Sequence, residues 1–169
     1  MVQVGEKAIP LYSWMIGIPG QTKAEMRTNI DIMKQINRIC PSAIHVGNWI
    51  FRPFPGSELY EMCKQYGLHE PSSLEEWRTL APEQEKNTGM YAVSALPWID
   101  DPDFVQFIAD HSLTLAPTLC SRRSIVQRVW SLVVSLTFVT WNWPLLGSVM
   151  RKLVSLLHSL ARILMGKTT

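Results

Sequence analysis

Acidic residues are missing from the carboxyl-terminal part of the sequence. From Ser121 onward there is no Asp and no Glu, although seven of the 16 Lys and Arg residues lie there. The 14 acidic residues all precede this segment, so the net charge of +2 divides into an acidic first part and a basic last part. This asymmetry predicts that residues 121–169 meet a different partner or environment from the rest.

Cysteine and histidine are too few and too scattered to form a metal-binding pattern. The three cysteines, Cys40, Cys63 and Cys120, form no CxxC pair, and the four histidines are equally dispersed. An odd number of cysteines, with no recognisable signal peptide, argues against a disulfide framework and for a reducing cytosol. We therefore expect no metal site within this sequence, a cytoplasmic location, and Cys40 and Cys63 as small structural residues on helices.

Hydrophobic patterning predicts a strand, a helix and a second strand in the first half of the sequence. Residues 11–18 are apolar and end at a Pro-Gly pair, which favours a buried strand. Thr22 followed by Glu25 is a capping-box pattern, and helical periodicity continues to Cys40, before Pro41. Residues 43–51 predict the second strand. This order, with short turns, predicts one right-handed crossover unit with parallel strands.

Capping residues and apolar periods predict helices in the remainder of the chain. Ser57 and Ser73 begin short helices, and residues 103–111 form another. Residues 129–150 carry no charge, and the sequence WNWP divides this segment into two helices. In the second of these, the apolar side chains form one stripe, at Leu146, Val149, Leu153, Leu157, Leu160 and Leu164.

The segment MIGIPGQT, residues 15–22, joins the first strand to the first helix and has three interpretations. A helix N-terminus after a glycine turn can hold a phosphate. Gly17 and Gly20, however, lack the spacing of a phosphate loop, and Pro19 removes an amide donor. The segment can also be a plain strand-to-helix turn. The third interpretation, a cofactor pocket, comes from a family resemblance.

The segment WMIGIPGQTKAEMRTNIDIMKQI resembles the strand–turn–helix segment of radical S-adenosylmethionine enzymes, often written hydrophobic-G-(L/I/F)-P-G-(E/Q)-T. The later segment IFRPFPGSELYEMCKQYGL resembles the following strand and turn of that family. SSLEEW then stands where the cobalamin-linked branch often has a similar phrase. Both glycine motifs occur in the family's order, so the resemblance covers residues 11–77.

The resemblance implies an α/β fold, in which residues 1–80 are the carboxyl-terminal β-α-β part of a partial (β/α)6 barrel. A connecting segment, 81–120, and a basic, apolar helical extension, 121–169, would follow. The cluster-binding CxxxCxxC loop and the first four family strands have no counterpart in this sequence. We therefore expect the amino-terminal barrel half to come from another subunit or from another part of a longer enzyme.

The resemblance also implies a site at the carboxyl ends of the two strands. Six residues would lie there: Ile16, Gly17, Ile18, Gly20, Phe51 and Arg52. The residues of the first strand would contact the adenosyl group of S-adenosylmethionine, and those of the second the adenine and the substrate. For Arg52, the alternative is a solvated turn arginine. The cofactors implied are S-adenosylmethionine, a four-iron, four-sulfur cluster whose ligands this sequence lacks, and, in the cobalamin-linked branch, cobalamin.

Two functions remain open at this point. The resemblance implies a fragment of a radical methyltransferase, cyclase or oxidoreductase that acts on a small molecule and is inactive by itself, because the cluster ligands are missing. The alternative is a non-catalytic interaction module whose basic helical tail binds a membrane surface or a partner protein.

The basic tail, residues 121–169, has three interpretations. It can be a helical cap on the barrel. It can lie on an anionic membrane as a peripheral contact, with Trp130, Trp141 and Trp143 at the headgroups. Alternatively, residues 129–150 span the bilayer. No nucleic-acid partner is expected, because aromatic residues are not interleaved with the basic ones on a recognisable module.

Overall fold

The computed structural model of the chain describes residues 9–79, 93, 96–116 and 125–165, with the backbone alone described for 77–79, 125–126, 158 and 160–165. The described residues form a mixed α/β fold with a two-stranded parallel sheet and six helices. The elements are β1 (Leu11–Ile16), α1 (Lys23–Ile39), β2 (Ile44–Ile50), α2 (Glu58–Gln65), α3 (Leu74–Thr79), α4 (Pro102–Leu115), α5 (Ile125–Thr140) and α6 (Pro144–Met165). They belong to two compact units, Met1–Ala116 and Pro117–Thr169.

The predicted strand–helix–strand unit is confirmed. β1 and β2 are parallel neighbours, with Leu11 opposite Ile44 and Ile16 opposite Ile50. β1 ends two residues earlier than predicted, because Gly17 has a φ of +74° and turns the chain out of the strand. The short apolar run thus located the strand, and Gly17 set its end.

Helix α1 begins and ends where its capping residues predict. The Thr22 hydroxyl accepts a hydrogen bond from the Glu25 amide at 3.3 Å, and the Glu25 carboxylate accepts one from the Thr22 amide at 2.7 Å. The bond from the Thr22 amide lowers the pKa of the Glu25 carboxyl group. At the other end Cys40 is the C-cap, because Pro41 cannot continue the helix.

The two faces of the sheet have different surroundings. On one face, His45 and Asn48 of β2 bond to side chains of α1, and α4 contacts both β2 and α1. The opposite face carries four apolar side chains that are 47–63% exposed: Leu11, Met15, Ile44 and Trp49. Since parallel sheets are normally covered on both faces, this face is suited to contact further protein.

The barrel itself goes beyond what the described residues show. Within the ranges described, the sheet has two strands and does not close into a barrel. Of the predicted connecting segment 81–120, residue 93 and residues 96–116 are described, and α4 belongs to the first compact unit. The structure therefore establishes a mixed α/β fold, and the partial barrel belongs to the proposals below.

The two described cysteines lie on helices, as predicted. Cys40 caps the end of α1, and Cys63 is fully buried in α2, in a cluster with Phe51, Tyr60 and Leu68. Burial raises the pKa of the Cys63 thiol, so this side chain behaves as a small apolar core residue. Within the described ranges no group of three or more His, Cys, Asp or Glu is placed to hold a metal ion.

A chain of hydrogen bonds links the sheet to α1 and to the end of α4. The Trp14 indole donates to His45 Nδ1 at 3.0 Å, and His45 Nε2 lies 2.9 Å from Asn37 Oδ1. The Asn37 amide in turn donates to the Ala116 carbonyl oxygen at 3.0 Å. Because Nδ1 accepts a hydrogen bond, it carries no hydrogen; Nε2 carries the ring hydrogen, and the imidazole is neutral. Burial lowers the pKa of His45 in agreement with this state.

We expect His45 to stabilise the fold at neutral pH and to lose this effect in acid. Its folded pKa is lowered, so the unfolded imidazole binds a proton first and stability decreases as the pH falls below about 6.5. The variant His45→Phe removes the acceptor of the Trp14 indole and one hydrogen-bond partner of Asn37, and it should cost about 1–3 kcal/mol at neutral pH.

Urea unfolding of both proteins between about pH 7.5 and 5 measures this effect. The difference in free energy of unfolding should shrink as the pH decreases. The exposed His69, replaced by phenylalanine, gives the background effect of losing one histidine. A difference between wild type and His45→Phe that stays constant over this range contradicts the assignment.

The second unit is a helical hairpin that turns at the predicted WNWP sequence. Gly147 packs so closely on the end of α5 that a Cβ in its place would collide with the Thr140 carbonyl oxygen. The Arg151 guanidinium donates to the Trp141 carbonyl oxygen at 2.9 Å and lies 4.9 Å from the centre of the Trp141 indole. These contacts fix the turn between the two helices.

The buried side of α6 differs from the predicted leucine stripe. Val154 is 5% exposed, whereas Leu146 and Val149 of that stripe are 42% and 58% exposed. The turn causes this difference. Because Gly147 approaches the end of α5 closely, the side of α6 that carries Gly147 faces α5. Of the helices described, none combines the length and the apolar character that a bilayer span requires.

Candidate functional site

A cavity of about 440 Å³ lies at the carboxyl end of β1. Its walls are the glycine turn, the first residues of α1, the segment 97–105 and Tyr66, which follows α2. Ligands of parallel α/β proteins bind at the carboxyl ends of strands, and this volume is within the range of small-molecule sites. The cavity is therefore the candidate functional site of the first unit.

Gly17 has its backbone groups bonded within the protein. Its amide donates to Gln21 Oε1 at 2.8 Å, and its carbonyl oxygen accepts the Trp98 indole hydrogen at 2.8 Å. A Cβ at this position would lie 3.4 Å from the Ile99 side chain. Because the Gly17, Gln21 and Thr22 amides are bonded within the protein, these three donors are not available to a phosphate.

Gly20 allows an aromatic ring to approach the turn. Its φ is +81°, and a Cβ added there would lie 2.9 Å from the Tyr66 hydroxyl. The next amide, of Gln21, donates to the Ile18 carbonyl oxygen at 2.9 Å and closes the turn. Tyr66 is 45% exposed, so its ring forms a wall of the cavity that a ligand can reach.

A salt bridge joins the start of α1 to the start of α4 beside the cavity. Lys23 Nζ lies 2.7 Å from Asp101 Oδ2, and the other oxygen of Asp101 accepts the Phe104 amide at 3.0 Å. The Phe104 ring is fully buried beneath these groups, with the Lys23 ammonium 5.8 Å and the Arg27 guanidinium 5.1 Å from its centre. The pairing holds the two helix N-termini together at the site.

Three of the six residues predicted for the site line the cavity. These are Gly17, Ile18 and Gly20, which belong to one turn. Their sequence signal was the glycine motif at the junction of strand and helix.

The other three predicted residues do not line the cavity. Ile16 is fully buried at the end of β1, and Phe51 is buried in the core cluster, against which Ile18 and Trp98 pack. Arg52 is half-buried, with its Nε and Nη1 atoms hidden from solvent. Ile16 and Phe51 thus adjoin residues that line the cavity, whereas Arg52 is not among the lining residues.

Several lining residues come from a segment that the sequence did not assign to the site. Trp98, Asp101 and Phe104 line the cavity, and none of them was among the six predicted site residues. A signal was present, because Asp101-Pro102 is an N-cap followed by proline at the first helical position. α4 accordingly begins one residue before the predicted Asp103.

No protein-family model, curated protein or solved structure matches this chain. Its class is therefore defined by the fold and the site: a mixed α/β unit with a ligand-sized cavity at the end of a parallel strand, and a helical hairpin unit.

Proposed function

We propose that the first unit is the adenosyl-binding side of a radical S-adenosylmethionine enzyme. We base this on one observation, that Gly17, Ile18 and Gly20 line a cavity at the carboxyl end of β1. The family resemblance of the same turn puts the adenosyl group there. The reaction class would be radical methylation, cyclisation or oxidoreduction of a small molecule.

The residues around the cavity fit an adenosyl group. Trp98 and Tyr66 are partly exposed aromatic walls, against which a purine can stack. Asp100 adds an exposed carboxylate, which attracts the positive charge of S-adenosylmethionine. The buried Phe104 and Val105 supply the apolar floor that small-molecule sites require.

The residues do not fit an iron–sulfur cluster. Such clusters are held by several cysteine thiolates, whereas Cys40 and Cys63 lie on separate helices and Cys63 is buried in the core. We therefore assign no step of a radical reaction to the side chains of this chain, and no residue to cobalamin. The cluster ligands would belong to a partner, which is another subunit or another part of a longer enzyme.

We propose that this partner supplies the remaining strands of a partial barrel. The exposed apolar face of the sheet, formed by Leu11, Met15, Ile44 and Trp49, would be the inner face of that barrel. Helices on one face only and strands that end at a ligand site are features of (β/α) barrels. The first unit alone would bind the nucleoside and would lack catalytic activity.

Binding of S-adenosylhomocysteine to the full chain tests this function, since this analogue needs no cluster chemistry. Isothermal titration calorimetry should give one site with a Kd between about 1 µM and 1 mM. The variant Tyr66→Ala removes an exposed wall of the cavity and should weaken binding about tenfold, because stacking on a base is worth about 1–3 kcal/mol.

The matched control is Leu74→Ala, at a position that is 89% exposed and outside the cavity lining. This variant should bind as the wild type does. If the wild type shows no saturable binding at millimolar concentrations, the adenosyl assignment is wrong. The alternative, a non-catalytic interaction module, would then be the better description of the chain.

A further inference from the structure

The helical hairpin carries large apolar side chains on its outside. On α5, four of them recur at helical spacing and are 54–64% exposed: Val129, Leu132, Leu136 and Val139. Five more, at the turn and on α6, are 42–84% exposed: Trp143, Leu145, Leu146, Val149 and Leu156. An exposed apolar surface of this extent indicates a docking surface.

Small and polar residues lie on the inside of the same hairpin. Thr137 and Thr140 are 0% and 5% exposed, and Gly147 is buried where α6 approaches α5. The two threonine hydroxyls donate to carbonyl oxygens of their own helix, Val133 at 2.8 Å and Leu136 at 2.7 Å. Because these polar groups are bonded internally, the hairpin can enter apolar surroundings without leaving them unpaired.

The positive charge of the second unit indicates what kind of apolar surroundings the hairpin enters. No Asp or Glu occurs from residue 121 onward, and residues 129–150 carry no charge at all. We call residues 129–150 the uncharged tip of the hairpin. Exposed basic residues border it, with Arg128 on α5 and Lys152 on α6. Basic groups next to an apolar surface complement the phosphates of anionic lipids.

The length of the uncharged tip agrees with the depth of one leaflet. Along α5, Arg128 and Thr140 are separated by about 18 Å, and along α6, Pro144 and Lys152 by about 12 Å. The hydrocarbon of one leaflet is about 15 Å deep. If the turn lies at the bilayer midplane, Arg128 and Lys152 would both lie near the headgroups.

We propose that the tip of the hairpin, residues 129–150, inserts into one leaflet of an anionic lipid bilayer, with Arg128 and Lys152 at the lipid phosphates. This inference concerns the second unit and does not depend on the adenosyl site. A second copy of the hairpin fits the surface less well, because each copy brings only positive charge.

Flotation of the full chain with vesicles tests the insertion. The chain should float with phosphatidylcholine vesicles that contain about 30% phosphatidylglycerol, and binding should fall at least tenfold with phosphatidylcholine alone. Raising the salt from about 0.05 to about 0.5 M should weaken the binding to anionic vesicles. Failure to float with anionic vesicles, or equal flotation with both kinds, contradicts the proposal.

Three substitutions locate the contact. Leu136→Glu should reduce flotation at least tenfold, and Lys152→Gln about fivefold, while Leu74→Glu in the first unit leaves it unchanged. Circular dichroism should show unchanged helix content, because each replaced side chain is exposed. Loss of flotation in Leu74→Glu to the same degree as in Leu136→Glu overturns the assignment to the hairpin.

Quenching of tryptophan fluorescence by spin-labelled lipid measures the depth of the turn. Trp143 is 56% exposed at the turn, whereas Trp141 is 7% exposed. We expect quenching by a label in the acyl chains, and a smaller quenched fraction in Trp143→Phe. If the chain instead forms dimers in lipid-free solution that Leu136→Glu converts to monomers, a second copy covers this surface and the proposal is wrong.

Discussion

Replacing Phe104 with alanine will destabilise the first unit by about 3–5 kcal/mol, because a fully buried aromatic side chain is lost and a cavity remains. Phe104 is 0% exposed, and its amide donates to the Asp101 carboxylate that caps α4. Its ring also lies beneath the Lys23 and Arg27 cations. The substitution therefore removes packing at the point where α1 and α4 meet.

Urea denaturation of wild type and Phe104→Ala measures this effect through the midpoint and the slope of the transition. Phe54→Ala is the matched control, because Phe54 is 63% exposed and its loss should change the free energy of unfolding by less than about 0.5 kcal/mol. A cost below about 1 kcal/mol for Phe104→Ala would show that α4 does not pack on the first unit as described.

Replacing Gly17 with valine will destabilise the same unit by about 2–4 kcal/mol, from backbone strain and crowding together. The φ of +74° is unfavourable for a β-branched residue. The new side chain would also meet Ile99, whose nearest atom lies 3.4 Å from the position of Cβ. Since Trp98 bonds to the Gly17 carbonyl oxygen, the wall of the cavity should be displaced as well.

Gly56→Val separates strain from crowding. Gly56 has a similar φ of +86°, but no atom lies within 4 Å of a Cβ built there. We expect this control to lose about 1–2 kcal/mol, the strain alone, and to retain binding of S-adenosylhomocysteine. Equal destabilisation by the two substitutions, with binding retained in both, would show that nothing packs against Gly17.

Local signals in the sequence predicted the elements around the site well. Thr22 and Glu25 form the predicted capping box, and the predicted break at WNWP separates α5 from α6. Such features depend on neighbouring residues, so a single sequence contains them. The parallel pairing of β1 and β2 followed from the order of the elements, because two strands joined by one crossover helix lie parallel.

Contacts between distant segments could not be predicted in this way. Trp98 and Asp101 reach Gly17 and Lys23 across about 80 residues of sequence, and no periodic pattern records such a pairing. On α6, the sequence shows one apolar stripe, but the close contact at Gly147 buries a different side of the helix, that of Val154. The difference leaves apolar side chains exposed, and these are the basis of the proposed lipid contact.

The central claim is that the cavity beside the glycine turn binds an adenosyl group. Titration of the ¹⁵N-labelled full chain with S-adenosylhomocysteine tests it most directly, with the Gly17 and Gly20 amides and the Trp98 indole as reporters. We predict saturable shifts of these three signals with one common Kd. Unchanged signals at millimolar ligand, or shifts confined to residues outside the cavity, would contradict the claim.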